Sequence, residues 1–428
     1  MRTLLGQLVA ILPRGGSLMK YEDFYNPKYT PSATDTICTF RIEPQDPNRS
    51  MKWLAGGVAA ESSIGTWTEL TTEKPYMKKL AATVFELTEN IAQIAYPIEL
   101  FEPGNLPNIM SSVAGNVFGL GDLRYLRLLD IKFPKELVKS FLGPAYGISG
   151  IRTTVKVSKR PLVGTIVKPK LGLRTKDHAA VAYEAWAGGC DIVKDDENLS
   201  SQAFNPFEDR VITTLDQRDR AEDETGDKKI YLINVTAETQ EMLHRAQFIE
   251  DHGGRVAMVD ILTCGYSAVS TLRSQGFKLI LHGHRAMHAA FTKLSYHGIA
   301  MPVIVTASRL LGIDQLHVGT AVGKMSEDRE EVETNIRKCK EPLGDLEPTL
   351  PVASGGLHPR HVPALIDIFG TDCVIQAGGG IHGHPKGTRV GATAMRQAVD
   401  ATLAGQTLEE YAASHSELAE ALQHWPTG

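Results

Sequence analysis

Gly188-Gly189-Cys190-Asp191-Ile192-Val193-Lys194-Asp195-Asp196-Glu197-Asn198 sets the pattern for most of the chain. Its glycine pair closes a helical pattern over residues 177–187. A short apolar segment follows, in which Ile192 and Val193 read as a buried strand. One lysine and three acids come next. Lys194 and Asp196 are two apart, so on a strand both side chains leave one face. Glu197 joins them if the strand ends there, and Asn198 is a fitting stop. Two carboxylates at a strand end suit a hard, oxygen-seeking cation such as Mg²⁺. The lysine is the odd member, because an ammonium repels a metal. Reaction of its amine with CO₂ would give an anionic carbamate and remove the conflict. The plainer alternative is a surface ion-pair cluster after a strand.

The same rhythm, a short β-rich apolar run followed by a helical pattern, recurs along the chain. The runs are residues 162–167, 191–193, 229–235, 256–261, 279–284, 315–318, 351–354 and 374–377. Eight strand–helix units in a row predict a (β/α)₈ TIM barrel; a doubly wound open sheet usually has fewer. A last helix is expected over residues 408–425.

Upstream the texture is different. Residues 35–42 and 95–100 read as strands, and residues 72–90 and 122–130 as helices. That is an α+β pattern without regular alternation. Residues 133–141 read as a linking helix and 143–150 as a Gly/Pro-rich hinge. The expected organisation is an N-terminal extension over residues 1–18, a smaller α+β domain over 19–143 and the barrel over 144–428.

Composition bounds the function. The 428 residues are 42% hydrophobic and 22% charged, enough for a sizeable core. A net charge of −5 without a long basic run argues against a nucleic-acid partner. The five cysteines are scattered and form no CxxC, which fits a reducing cytosol and a cytoplasmic protein. The apolar run over residues 3–12 is too short for a membrane span and lacks a small-x-small cleavage site. Met19 opens a more ordinary beginning.

In a (β/α)₈ barrel the chemistry gathers where strands end. After the first run stand Lys168-Pro169-Lys170, and after the second the acidic cluster. The third gives Asn234 and Thr236, which are unremarkable. The fifth gives His282, His284, Arg285 and His288, the sixth His317 and then residues 319–324. The seventh and eighth give Ser354-Gly355-Gly356 and Gly378-Gly379-Gly380. His284 and His288 have helix-metal spacing, but no Cys or Glu-x-x-His pattern supports zinc. Glycine turns after the last two strands bring bare backbone N–H groups near a phosphate. Arg285 and His317 are candidates for a second phosphate at a distance. The implied substrate is a small bisphosphate with a chelating oxygen pair in its middle. The implied chemistry is proton abstraction beside a carbonyl, with Mg²⁺ holding the enediolate. Residues 319–324 read as a mobile lid with Lys324 near its tip. Ser326 is expected to cap the next helix, with Glu327 and Asp328 in its first turn.

Taken in order, GTIVKPKLGL, GGCDIVKDDEN, LHGHRAMHAAFT, HVGTAVGKM, LPVASGGLHP and QAGGGIHGHPKG resemble the large subunit of ribulose-1,5-bisphosphate carboxylase/oxygenase (RuBisCO). AAESSIGTWTEL and GNVFGLGDLRYLRL resemble its N-terminal motifs, and the likeness covers nearly all of residues 19–425. The resemblance implies Mg²⁺-dependent carboxylation and oxygenation of ribulose 1,5-bisphosphate. It makes Lys194 the lysine carbamylated by an activating CO₂, with the carbamate, Asp196 and Glu197 as metal ligands. The carbamate also matches the base that enolises the substrate. Lys168 matches the lysine that protonates the final carbanion, supported by Lys170; His284 matches a proton-transfer residue and Lys324 the lid lysine. Arg285, His317 and Ser354 match contacts to one phosphate or the sugar hydroxyls. Gly356, Gly378 and Gly379 match the other phosphate site. Glu61, Thr66, Trp67 and Asn116 match residues that complete the neighbouring subunit's site, so the implied unit is a homodimer or a multiple of dimers.

Ile166 and Val318 stand where plant-type sequences have threonine and serine, and no long tail follows Trp425. These departures resemble the archaeal-type (form III) group, which works without small subunits. One rival is a RuBisCO-like protein that only enolises or isomerises a related substrate, but such proteins replace some of Lys168, Lys324, Asn116 and Ser354, all kept here. The other is a catalytically silent scaffold, for which such crowded charges would be costly.

Overall fold

The computed structural model describes residues 19–68, 70–324 and 327–426. The extension read over residues 1–18 lies outside them. The N-terminal half is built on β1 (Thr36–Pro44), whose alternating burial is that of a strand with one face on a core. It pairs antiparallel with β3 (Ile91–Tyr96) on one side and β4 (Leu123–Lys132) on the other, and β2 (Thr83–Thr88) forms a hairpin with β3. The helix Met51–Glu61 covers this sheet with its buried face, Leu54 to Ala60.

The second half closes on itself. β5 (Leu162–Ile166), β6 (Ile192–Lys194), β7 (Ile230–Asn234), β8 (Val256–Asp260) and β9 (Ile280–His284) run parallel in that order. A two-residue strand, β10 (Gly298–Ile299), then leaves the barrel and pairs parallel with β4, tying the halves together. β11 (Gln315–His317), β12 (Leu350–Ser354) and β13 (Val374–Gln376) complete the ring against β9 and β5. The result is the closed eight-stranded parallel barrel that the apolar runs predict.

Several local expectations fail. Residues 72–90 are not a helix: a 3-10 turn, Pro75–Leu80, leads into β2. Glu89 takes a positive φ of 50° and makes the tight hairpin turn with Asn90. Residues 122–130 are not a helix either: from Leu123 on they lie in β4, because pairing with β1 and β10 outweighs the helix-like spacing of their leucines. The strand expected over 95–100 stops at Tyr96, where Pro97 ends it. The linking helix over 133–141 is one turn, Lys135–Val138. The final helix is broken into Leu408–Ala412 and Ser416–His424.

The expected hinge at 143–150 is instead the start of a helix, Gly147–Val155, that plugs the barrel floor. Ile151 and Val155 pack with Leu162, Ile192, Ile230 and Val256 at the strand starts. Asp314 fixes the helix start by accepting from the N–H groups of Tyr146 and Gly147, and it pairs with Arg273 at 2.5 Å. With the floor sealed, only the carboxyl ends of the strands are left for a site.

Candidate active site

β6 ends on Lys194, so Asp196 and Glu197 sit on the turn beyond it rather than sharing a strand face with the lysine. The three still converge. Lys194 is 1% exposed; its Nζ donates to the Asp195 carbonyl at 2.7 Å and stands 3.4 Å from Glu197 Oε2. The register of β5 on β6 sets Ile166 beside Lys194, and two residues further Lys168 Nζ reaches Asp196 Oδ2 at 2.9 Å. Burial pushes the Asp196 carboxyl up, but Lys168 and Asn198 outweigh it and hold the group below its ordinary value. Glu197 is likewise raised by burial and lowered further by Lys194 and His284, with a net fall. Lys170 is exposed and makes no hydrogen bond or ion pair among the described residues.

Behind this cluster lies a network that sequence reading missed. Asp195 is fully buried and points away from Lys194, accepting from Tyr231 Oη at 2.5 Å and the Asn234 N–H at 3.1 Å, with Arg210 Nε at 3.3 Å. Burial raises its carboxyl, yet Arg210 and His178 hold it well below the usual range. Asn234, read as unremarkable, donates from Nδ2 to the carbonyls of Glu197 at 3.1 Å and Leu199 at 3.0 Å. It stitches the acidic turn to the end of β7. Its signal was only its position at a strand end.

The histidines form a second group beside the first. His284 Nε2 is 3.5 Å from Glu197 Oε2, while Nδ1 accepts from the Ala286 N–H. Asp260 Oδ1, buried and without a hydrogen bond among the described residues, lies 3.3 Å from that Nδ1. The His317 ring stands 4.7 Å from that of His284. A chain of contacts runs from Ser354 Oγ to His317 Nδ1 at 2.7 Å, from His317 Nε2 to His282 Nε2 at 2.9 Å and from His282 Nδ1 to Gln315 Oε1 at 3.0 Å. With Gln315 Oε1 accepting, His282 carries its proton on Nδ1, His317 on Nε2, and Ser354 donates its own to His317. Burial lowers His282 to about 3 and His317 well below its ordinary value, so both rings are neutral. His288 belongs elsewhere, on Thr292 Oγ1 at 3.0 Å.

The glycine turns border this cluster. A Cβ on Gly378 would meet Lys168 Cε at 3.1 Å, whereas Gly379 faces open space. A Cβ on Gly356 would lie 2.5 Å from Lys324 Cβ, so the lysine end of the expected lid rests on the turn after β12. Arg285 is ion-paired with Glu327 at 2.5 Å. Ser326 lies outside the described residues. The helix after it is Arg329–Lys340, capped by Asp328, which accepts from the Glu331 N–H; Glu327 and Asp328 therefore precede the helix.

The N-terminal residues make their own contacts. Glu61 ends its helix and accepts from Tyr21 Oη at 2.6 Å. Thr66 is half-buried, Asn116 is exposed, and Trp67 is 82% exposed. Among the described residues, no hydrogen bond or ion pair joins these four to the barrel cluster.

The donor set fits a divalent cation on one condition. Among the described residues no three His, Cys, Asp or Glu side chains gather as metal ligands. Asp196 and Glu197 are already balanced by two lysines. Converting Lys194 to a carbamate would turn the nearest repelling charge into the missing oxygen donor.

Comparison with known proteins shows the family. Residues 147–425 match the family described as ribulose bisphosphate carboxylase large chain, catalytic domain, and residues 23–137 match its N-terminal domain. A ribulose bisphosphate carboxylase of Methanocaldococcus jannaschii is 46% identical over 94% of this chain and 100% of its own. One from Pyrococcus abyssi is 46% identical over 95% of this chain and 96% of its own. The octameric enzyme of Pyrococcus horikoshii superposes with a TM-score of 0.92 at 45% identity, covering 95% of this chain and 97% of its own. The dimeric archaeal enzyme of Hyperthermus butylicus gives 0.88 at 41% identity, over 95% and 99%. With both family domains present and both halves of the fold matched to archaeal relatives, the chain belongs to the ribulose bisphosphate carboxylase large-chain family.

Proposed function

We infer that the chain converts ribulose 1,5-bisphosphate, CO₂ and water into two molecules of 3-phosphoglycerate, with oxygenation of the same enediolate as a side reaction. The observation that carries this reading is the buried Lys194 amine beside Glu197, with Asp196 and Lys168 adjoining. Mg²⁺ held by Asp196, Glu197 and the Lys194 carbamate would supply an electrophile for two substrate oxygens and a base for the proton beside the carbonyl.

The chain's own residues account for the rest. Loss of the C3 proton gives the C2–C3 enediolate. C2 then bonds to CO₂, water adds at C3, and the C2–C3 bond breaks to leave a carbanion on C2. Lys168, held by Asp196, is the acid for that carbanion, with Lys170 adding positive charge nearby. His284 can take a proton on Nδ1, where Asp260 would meet the imidazolium. Lys324 is the counter-charge for the new carboxylate. Ser354, its proton committed to His317, offers lone pairs to a substrate hydroxyl. Arg285 holds one phosphate end, with His317, both of its ring nitrogens engaged, contributing there by fixing Ser354, and the turns at Gly356, Gly378 and Gly379 hold the other.

Glu61, Thr66, Trp67 and Asn116 would complete a partner's site, so the working unit is a homodimer or a multiple of dimers without small subunits. The exposed Trp67 ring and the lack, among the described residues, of hydrogen bonds or ion pairs from these four to their own barrel cluster support this. Domain limits near residues 19–143 and 144–428 fit the same picture. The test is turnover of ribulose 1,5-bisphosphate with Mg²⁺ and CO₂ before and after Lys194→Ala. Activity should fall about 10³-fold or more, the scale of losing a principal electrostatic group. Retained activity in the variant would refute the role of Lys194.

A further inference from the structure

Arg285 follows the last residue of β9, and its side chain is 11% exposed. Its fork is already filled. Nη2 donates to Glu327 Oε1 at 2.5 Å and Nη1 to Glu327 Oε2 at 3.3 Å, so both carboxylate oxygens are engaged. The Glu327 backbone is fixed as well, donating its N–H to the Thr320 carbonyl at 2.9 Å. Gly319 makes the room. Its φ is +92°, and a Cβ there would lie 2.0 Å from Glu327 Oε2 and 3.1 Å from Arg285 Nη2. The glycine notch and the guanidinium fork together form a seat shaped for an anion, and the chain's own carboxylate sits in it.

A guanidinium fork binds carboxylate and phosphate in the same bidentate way. It cannot offer the same pair of N–H groups to both at once. We propose that Glu327 is an internal counter-anion of Arg285 that competes with the phosphate end of the substrate for this seat. The proposal rests on reading Arg285 as a phosphate contact. A phosphate dianion carries more charge than the carboxylate and can displace it, and Glu327, 27% exposed, has solvent to move into. A weaker monoanion has no such advantage, so the exchange favours phosphate esters over carboxylate-bearing sugars. Apparent phosphate affinity is reduced by the fraction of molecules in which Arg285 is engaged. Between turnovers the pair keeps a largely buried guanidinium from standing without a partner.

The experiment is calorimetric titration of the full chain with inorganic phosphate, beside KM for ribulose 1,5-bisphosphate. Glu327→Gln keeps the side-chain shape and removes the charge. It should tighten the Arg285-dependent phosphate binding about tenfold, the scale of one charge-assisted pair, and lower KM. Glu327→Ala should move both values the same way, which guards against a variant that fails to fold. The gain must vanish when Glu327→Gln is combined with Arg285→Ala. Unchanged or weaker phosphate binding in both Glu327 variants, with Arg285→Ala still weakening it, overturns the competition and leaves Arg285 as a phosphate contact. Phosphate binding indifferent to Arg285→Ala overturns that reading and the competition with it.

Discussion

In the proposed chemistry the work falls to single residues, and their chemical type was easier to read than their support. Lys194, Asp196, Glu197 and Lys168 were legible because charged residues directly after apolar strands have few structural uses. Asn234 was not legible, since an asparagine at a strand end is ordinary until its partners are known. Asn234→Ala would strip the donors from the Glu197 and Leu199 carbonyls, costing about 1–3 kcal/mol of stability in chemical denaturation. It should also raise the Mg²⁺ needed for half-activation about tenfold, as loss of a group supporting a metal ligand does. Unchanged Mg²⁺ demand would leave Asn234 a merely structural residue. The buried pair His282 and His317 makes a pH prediction. Their pKa values fall on folding, so the unfolded chain binds more protons as pH drops below about 6.5. Their neutral forms therefore stabilise the fold above that pH, and this contribution fades as pH falls, for His282 down to about pH 3, by up to about 1.4 kcal/mol per pH unit per ring. Thermal melts should drop from pH 7 to pH 4.5, and His282→Gln should flatten the drop. An equal slope in wild type and variant would show that other groups set the acid limit.

At the scale of elements, the eight barrel strands were legible because a strand buried on both faces is a bare apolar run, unmistakable when it recurs. Of the N-terminal sheet, β1 was legible over residues 35–42, but β2 and β4 were not, because these half-exposed strands carry polar residues and β4 spaces its leucines as a helix would. The pairing partners of β4 lie far away in sequence, and for Leu128 one of them is Ile299. The Gly147–Val155 plug was hidden by glycines that look like a hinge, although Gly147 starts the helix at a positive φ of 56°. Its weight is testable. Ile151→Ala should cost about 2–5 kcal/mol in urea unfolding, because the site is enclosed by strand starts and cannot easily collapse. A cost below about 1 kcal/mol would mean that the floor is sealed by other contacts.

For the whole molecule, the arrangement of chains is the larger claim. Among the described residues Glu61 and Asn116 share no hydrogen bond or ion pair with their own barrel cluster, and spacing in the sequence could not have told which chain's barrel they serve. If they serve a partner's, Glu61→Gln and Lys194→Ala homodimers are both inactive. In a mixed dimer one site takes its two halves from undamaged parts and the other collects both lesions. Subunit exchange should therefore restore carboxylation at half the sites. Verified heterodimers as inactive as their parents would mean that each site is built within one chain.

The claim on which all of this depends is that carbon is added to the substrate rather than protons merely moved on it. The direct measurement is incubation of the purified chain with ribulose 1,5-bisphosphate, Mg²⁺ and ¹³C-labelled CO₂, followed by mass analysis of the products. The account predicts one labelled and one unlabelled 3-phosphoglycerate per bisphosphate consumed, and none without Mg²⁺. Consumption of the bisphosphate without label in the product would make the site an enolase or isomerase and contradict the account.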